Sequence, residues 1–200
     1  MLGLLNGKVA DFEKVSSLVT SAAWQVGFAH IAVGLAKWSN EPNGHSEMQQ
    51  RLADEQFNIL DLAPVNYACQ TTMTCLDVCA AAAYRLRGSG TGGKPLRAGF
   101  ESSISDLLTR TKDKNDPVVL LPNQSAWLGT VENDPRLNLL KAARNTLVHK
   151  MVQTHSVPPD STDLIIDGKR WPNLQLSTDL ADFAQSSFES FVEAVKADYP

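Results

Sequence analysis

What this sequence has little of narrows its reading first. Only three cysteines occur in 200 residues, and Cys69, Cys75 and Cys79 crowd into one short stretch. An odd number of closely spaced thiols does not build a secreted disulfide framework, and reads as reduced cysteine in a cytoplasmic protein. No CxxC pair occurs and no histidine lies nearby in sequence, so neither a zinc site nor any other metal or cofactor is expected. Positive charge is also short: 18 Lys and Arg stand against 22 Asp and Glu, a net charge of -4. No global field therefore draws nucleic acid or anionic membrane, and any contact with either must rest on local charge. The first residues, Met1 to Leu5, have neither the basic segment nor the small-residue cleavage site of a signal peptide.

Long uncharged runs are scarce as well, with one exception. Val15 to Ala36 contains no Asp, Glu, Lys or Arg and is long enough to span a bilayer. Ser16, Ser17, Thr20, Ser21, Gln25 and His30 make it too polar for that reading, so a helix inside a soluble bundle is expected, with no membrane.

What is present is mostly helical periodicity. Phe12, Val15, Val19, Ala22, Val26, Ala29, Val33 and Ala36 keep an unbroken three-four spacing, the seam of a packed helix. The opposite side turns apolar at Trp24, Phe28, Ile31, Leu35 and Trp38, which predicts cover on two sides, by the bundle or by a second subunit. Asn40 to Gly44 ends that helix, and another is expected from Glu47 to Ala63, with Pro64 kinking or restarting it. Val65 to Arg87 continues as a strongly apolar helix in which Asp77 is a lone carboxylate, while His30, on the first helix, reads as a core histidine. A short helix near Phe100 to Arg110 comes next, then an irregular connection carrying Val118 to Leu121 and Trp127. Asp134-Pro135 is an N-cap followed by proline at the first helical position. Leu164 to Leu176 holds an Asp167-Gly168 turn between apolar runs, a small β-hairpin, and Ser177 caps a last helix striped by Leu180, Ala184, Phe188, Phe191 and Val195. With 43% hydrophobic residues the chain suffices for one core, so a single all-α domain over 1–200 is expected, with a hairpin inserted before its last helix.

The helix opening at Pro135 holds the chemistry. From Pro135 to Pro159 there is no acidic residue, while Arg136, Lys141, Arg144 and Lys150 are present, so an acidic chain carries one locally basic helix. At ~100° per residue, Leu137, Leu140, Leu147, Val148 and Met151 form one apolar stripe with Arg144 inside it. A guanidinium there needs a partner or an open groove. Asn145 and His149 are i,i+4 neighbours on the flank. Arg offers phosphate a rigid fork of donors, and His exchanges a proton near neutral pH. Together they suit RNA cleavage, where a 2′-hydroxyl loses a proton while the phosphate gathers charge.

Arg144-Asn145 followed by His149 on a late helix of a small helical chain resembles the HEPN superfamily, whose signature is an Arg, usually followed by a polar residue, and a His four to six positions on. The resemblance implies a HEPN-like helical bundle that dimerises so that two motif helices face each other across a cleft, and metal-independent endoribonuclease activity in many members. By position it makes Arg144 the phosphate stabiliser, Asn145 an orienting group and His149 the general base or acid; the acid-free basic run separately makes Arg136, Lys141 and Lys150 candidates for binding the substrate backbone. The resemblance also implies a toxin or defence effector with an antitoxin or other regulatory partner. The toxin branch paired with a nucleotidyltransferase-like antitoxin has Tyr two positions after the His, where this chain has Met151. The alternative expectation is a non-catalytic bundle of the same shape that binds a protein or ligand. Gly88 to Lys94 imitates a phosphate-binding loop, but Pro95 stands where the magnesium-binding hydroxyl is needed and a helix precedes it, so it reads as a plain loop.

Overall fold

The computed structural model describes residues 12–41, 62–87, 103–115, 118–147 and 163–200. Among them are six helices, α1 (Phe12–Asn40), α2 (Ala63–Leu86), α3 (Ile104–Thr111), α4 (Pro122–Asn133), α5 (Pro135–Asn145) and α6 (Asn173–Asp198), and one antiparallel pair, β1 (Leu164–Ile166) and β2 (Lys169–Trp171). The mostly helical fold with a hairpin before the last helix agrees with the periodicity of the sequence. The helix expected over 47–63 falls almost wholly outside the described residues, and the glycine-rich loop of 88–93 lies wholly outside them. The chain divides into two compact units. One comprises 1–25, 74–134 and 184–200, the other 26–73 and 135–183.

In the first unit, α1 buries Val15, Val19 and Ala22 along the expected seam, while Trp24 stays 63% exposed. The second half of α2 is buried almost all round, at Cys75, Leu76, Cys79, Ala80 to Ala83 and Leu86. Two helix starts in this unit take their caps from distant carboxylates, because the first amide groups of a helix have no partner within it. Asp77 Oδ1 accepts from the Ile104 N–H at 2.8 Å, alongside the local cap in which Ser103 Oγ accepts from the Asp106 N–H at 3.1 Å. The start of α4 has no side-chain cap from its own N-cap residue, Leu121. Asp198 caps it instead, accepting from the Asn123 N–H at 3.2 Å, the Asn123 Nδ2 at 2.7 Å and the Gln124 N–H at 3.1 Å. Trp127, expected in an irregular connection, lies within α4. Its Nε1 donates to the Ser187 carbonyl at 3.0 Å and its ring meets Phe191 with centroids 5.0 Å apart.

In the second unit, α1 buries Ala29, Ala32, Ala36 and Ser39, α2 buries Val65, Ala68 and Cys69, and α5 buries Leu137, Leu140 and Ala143. Pro64 sits in the first turn of α2, so it starts the helix rather than kinking one. Thr72 Oγ1 donates to the Leu180 carbonyl of α6 at 3.1 Å. The hairpin pairs Leu164 with Trp171 and Ile166 with Lys169. Asp167 and Gly168 both have positive φ, 48° and 78°, the backbone of a type I′ turn and the reason this dipeptide marks a hairpin. Leu164 and Ile166 face inward. The helix α6 begins at Asn173, a turn before the expected cap at Ser177. Ser177 is instead buried and donates to Asn173 Oδ1 at 3.4 Å. His30, expected in the core, is exposed, and the α1 face expected to be covered leaves Ile31, Leu35 and Trp38 at 53%, 44% and 38% exposure.

Replacing Asp198 by Ala strips three donors of α4 of their acceptor and is expected to cost ~1–2 kcal/mol, the scale of a lost helix cap, read as a lowered urea midpoint. Gln124 is fully buried, and neither its amide oxygen nor its amide nitrogen has a hydrogen-bond partner among the described residues. An apolar side chain of similar shape removes that desolvation cost. Gln124→Met is therefore expected to raise stability by about 1 kcal/mol, seen as a higher melting temperature. An unchanged or lower value would show that the amide is satisfied in solution.

Candidate functional site

The motif helix α5 starts as its sequence dictates. Pro135 gives up an amide that would have no partner at that position, and Leu137, Leu140, Ala143 and, beyond the helix end, Leu147 bury its apolar face. The helix closes at Asn145, after which Thr146 and Leu147 form one wider, π-type turn. Such turns shift the facing of the residues around them.

Arg144 does not lie sealed in the apolar seam. It is exposed, and Ala143 takes the seam position on that turn. A wheel at ~100° per residue puts Arg144 between Leu137 and Leu140, but it sits in the last turn of α5, where its long stem carries the guanidinium out to water. Among the described residues no hydrogen bond or ion pair holds it. Asn145 beside it is exposed too. Arg144 occupies the last turn of α5, where a cation is favoured by the partial negative charge of the helix end. His149 and Lys150 lie outside the described residues, as do Met151 and His155.

The remaining expected binding residues are placed differently from one another. Arg136, in the first turn of α5, rests over the Phe183 ring with its guanidinium carbon 5.0 Å from the centroid, a contact that uses the electron-rich face of the ring. Lys141 is half-buried. Asp77, the lone carboxylate of α2, serves in its own unit as the cap of α3 described above.

One interaction of Arg144 has no sequence signal. Its charge reaches Cys69 on α2. Burial pushes the Cys69 thiol from the ordinary 9.0 up to about 12, while the Arg144 cation pulls the other way and loses. The first effect wins because Cys69 is only 1% exposed, and a thiolate there would forfeit nearly all its hydration. Cys69 is consequently a neutral thiol at physiological pH and no nucleophile. In the first unit, burial and the neighbouring Cys75 raise Cys79 as well. All three cysteines are free and buried. Among the described residues no group of His, Cys, Asp and Glu is placed to hold a metal ion.

What the described part of the site offers is a guanidinium and an amide presented side by side at a helix end without carboxylate competition. A guanidinium so presented has the donor geometry that could receive an anion such as phosphate. No protein-family model, curated protein or solved structure matches this chain.

The raised thiol gives a pH test. The unfolded thiol loses its proton near 9 while the folded one keeps it to about 12, so the unfolded state binds fewer protons in that window and gains as pH rises. Stability contributed below pH 9 is lost between about 9 and 12. The fall in urea midpoint from about pH 8 to about pH 10.5 is expected to be smaller in Cys69→Ala than in the wild type. Parallel curves would mean that Cys69 ionises normally.

Proposed function

We propose that this chain is a metal-independent endoribonuclease of HEPN type that cleaves RNA by 2′-hydroxyl transesterification at a site completed by a second copy. The observation that carries the reading is the exposed pair Arg144 and Asn145 at the end of an acid-free helix, followed by His149 at the spacing of the HEPN signature. In this mechanism Arg144 binds the scissile phosphate as a fork and opposes the charge that builds on its oxygens. His149 takes the 2′-hydroxyl proton, the 2′-oxygen bonds to phosphorus, and the bond to the 5′-oxygen breaks. His149 of the second copy gives that leaving oxygen its proton. The products are a 2′,3′-cyclic phosphate and a 5′-hydroxyl, and no metal, oxidant or cofactor enters. Two motif copies are needed because one imidazole cannot supply base and acid at once. Asn145 orients the phosphate, and Arg136, Lys141 and Lys150 hold the flanking backbone. The proposed setting is cytoplasmic, with α1 as a core helix rather than an anchor and with a regulatory protein or antitoxin restraining the enzyme.

A second reading is favoured by one observation: Arg144 sits in the last helical turn, where its charge complements the helix dipole with no catalytic purpose. In that reading the chain is a non-catalytic bundle that binds a protein or ligand.

Purified protein incubated with RNA in excess chelator is expected to leave 2′,3′-cyclic phosphate ends. Removing one proton-transfer group costs about 10²–10⁴-fold, so His149→Ala and Arg144→Ala should each lose at least about 100-fold. Arg144 is exposed, so its removal should move stability by no more than about 0.5 kcal/mol, with circular dichroism unchanged. Cleavage by His149→Ala at the wild-type rate removes this mechanism and leaves the binding module.

A further inference from the structure

We infer that Asn138 is a base-contacting residue of α5, whose amide gives this chain a preference for adenine in single-stranded RNA at a nucleotide close to the scissile phosphate. The contact rests on the cleavage reaction proposed above and adds the substrate feature that the same helix selects.

One flank of α5 collects polar side chains. At ~100° per residue, Asn138, Lys141 and Asn145 fall within ~60° of one another, away from the stripe buried by Leu137, Leu140, Ala143 and Leu147. Asn138 and Asn145 are exposed and Lys141 is half-buried. Arg144 adjoins this row in the last turn. Asn138 stands ~9 Å from Arg144 along the helix axis, at ~1.5 Å per residue. A strand whose phosphate sits on Arg144 and which follows the row therefore meets Asn138 close to the cut.

The row is also unspent. Other helical amides of this chain are used inside it. Asn40 and Asn133 donate to the Ala36 and Gly129 carbonyls one turn back, each at 2.8 Å, and Gln175 and Gln185 donate to Asp179 and Glu189 at 2.8 and 2.9 Å. Asn138, Lys141 and Asn145 make no hydrogen bond through their side chains among the described residues. An amide left so on a helix keeps donors and an acceptor side by side for a ligand.

The free amide selects the base. Asn pairs bidentately with adenine, donating to N7 and accepting from the N6 amino group, whereas guanine is read by Arg or Lys and cytosine by a carboxylate. No Asp or Glu occurs from Pro135 to Pro159, so this helix has no carboxylate for cytosine, and in the proposed reaction Arg144 is taken by phosphate. The adenine edge that carries N6 and N7 lies in the deep, narrow groove of an RNA duplex, out of reach of side chains, and is open in a single strand. Lys141, between the two amides, meets the backbone as a point charge.

Asn138→Ala tests the contact, since the side chain is exposed and alanine favours the helix, so the fold is retained. A randomised RNA pool is cleaved and the new ends are sequenced. The wild type is expected to enrich adenine at one fixed distance from the cut by at least about 5-fold, and Asn138→Ala to lose that enrichment. For an RNA with adenine at that place, KM is expected to rise at least about 5-fold in the variant, and by more than for its cytosine counterpart. Cleavage without adenine enrichment in the wild type, or with the same enrichment in both proteins, overturns the inference and leaves the reaction standing. If the wild type cleaves nothing, the reaction is what fails, and fluorescence anisotropy with short adenine-only and cytosine-only RNAs then decides the contact. Tighter binding of the adenine RNA, lost in Asn138→Ala, upholds it; equal binding of the two RNAs, or a preference that survives the substitution, overturns it.

Discussion

The constraint on which this structure turns is that α2 is buried on nearly every side through its second half. A helix cannot be wrapped that closely unless its own side chains are short. Cys75, Cys79 and the four alanines from Ala80 to Ala83 supply this, each at most 1% exposed. Short side chains bring the neighbouring backbone within reach of hydroxyl and thiol donors. Thr72 Oγ1 donates to the Leu180 carbonyl at 3.1 Å, and Cys75 Sγ approaches the Ala184 carbonyl at 3.9 Å. The thiols are thereby accounted for as packing elements. The raised proton affinity of Cys79 comes from the same close wrapping, and small, weakly polar side chains are what that position requires.

A central helix with one carboxylate also shows how Asp77 is tolerated. An unpartnered charge in that position would be costly, but Asp77 is at the flank of α2, where the first amide of α3 reaches it. The cations are settled by a different rule. Arg87 lies 3.6 Å above the Tyr84 centroid, Arg136 lies 5.0 Å above Phe183 and Lys169 lies 4.1 Å above Trp171. Several basic side chains thus lean on aromatic faces, whose electron-rich surface attracts the cation while the stem packs. Arg144 has no such ring among the described residues, and that separates it from Arg136, a residue of the same type on the same helix.

Much of the fold is legible in the residues. The α1 seam is readable because three-four spacing sustained from Phe12 to Ala36 matches the helical period and no strand period. The hairpin is readable because Asp167-Gly168 is a dipeptide that tolerates two successive positive φ values. Pro135 marks the start of α5. The differences between expectation and structure have physical causes. Helix α4 gives little local signal because its cap is Asp198, 75 residues away, and its own start has proline but no capping side chain. Ser177 resembles a cap, yet the helix has already begun at Asn173. A wheel drawn at a fixed angle puts Arg144 in the seam because it treats a helix end like its middle, whereas Ala143 takes the buried position and the wider turn at Thr146 redirects the residues around it. The charge of Arg144 acting on Cys69 joins two elements far apart in the chain, and no spacing in the sequence announces it.

The residues at the end of α6 act at a distance. Asp198 caps α4 from 75 residues downstream, and the Tyr199 hydroxyl donates to the Leu86 carbonyl at the end of α2, 113 residues upstream. During synthesis at about 5–20 residues per second, the start of α4 waits roughly 4–15 seconds for its carboxylate. Throughout that interval α2, with its apolar surface on nearly all sides, has no completed wrapping. The nascent chain is therefore most vulnerable to aggregation just before the end of α6 emerges, and a pause in translation within α6 would lengthen that exposure.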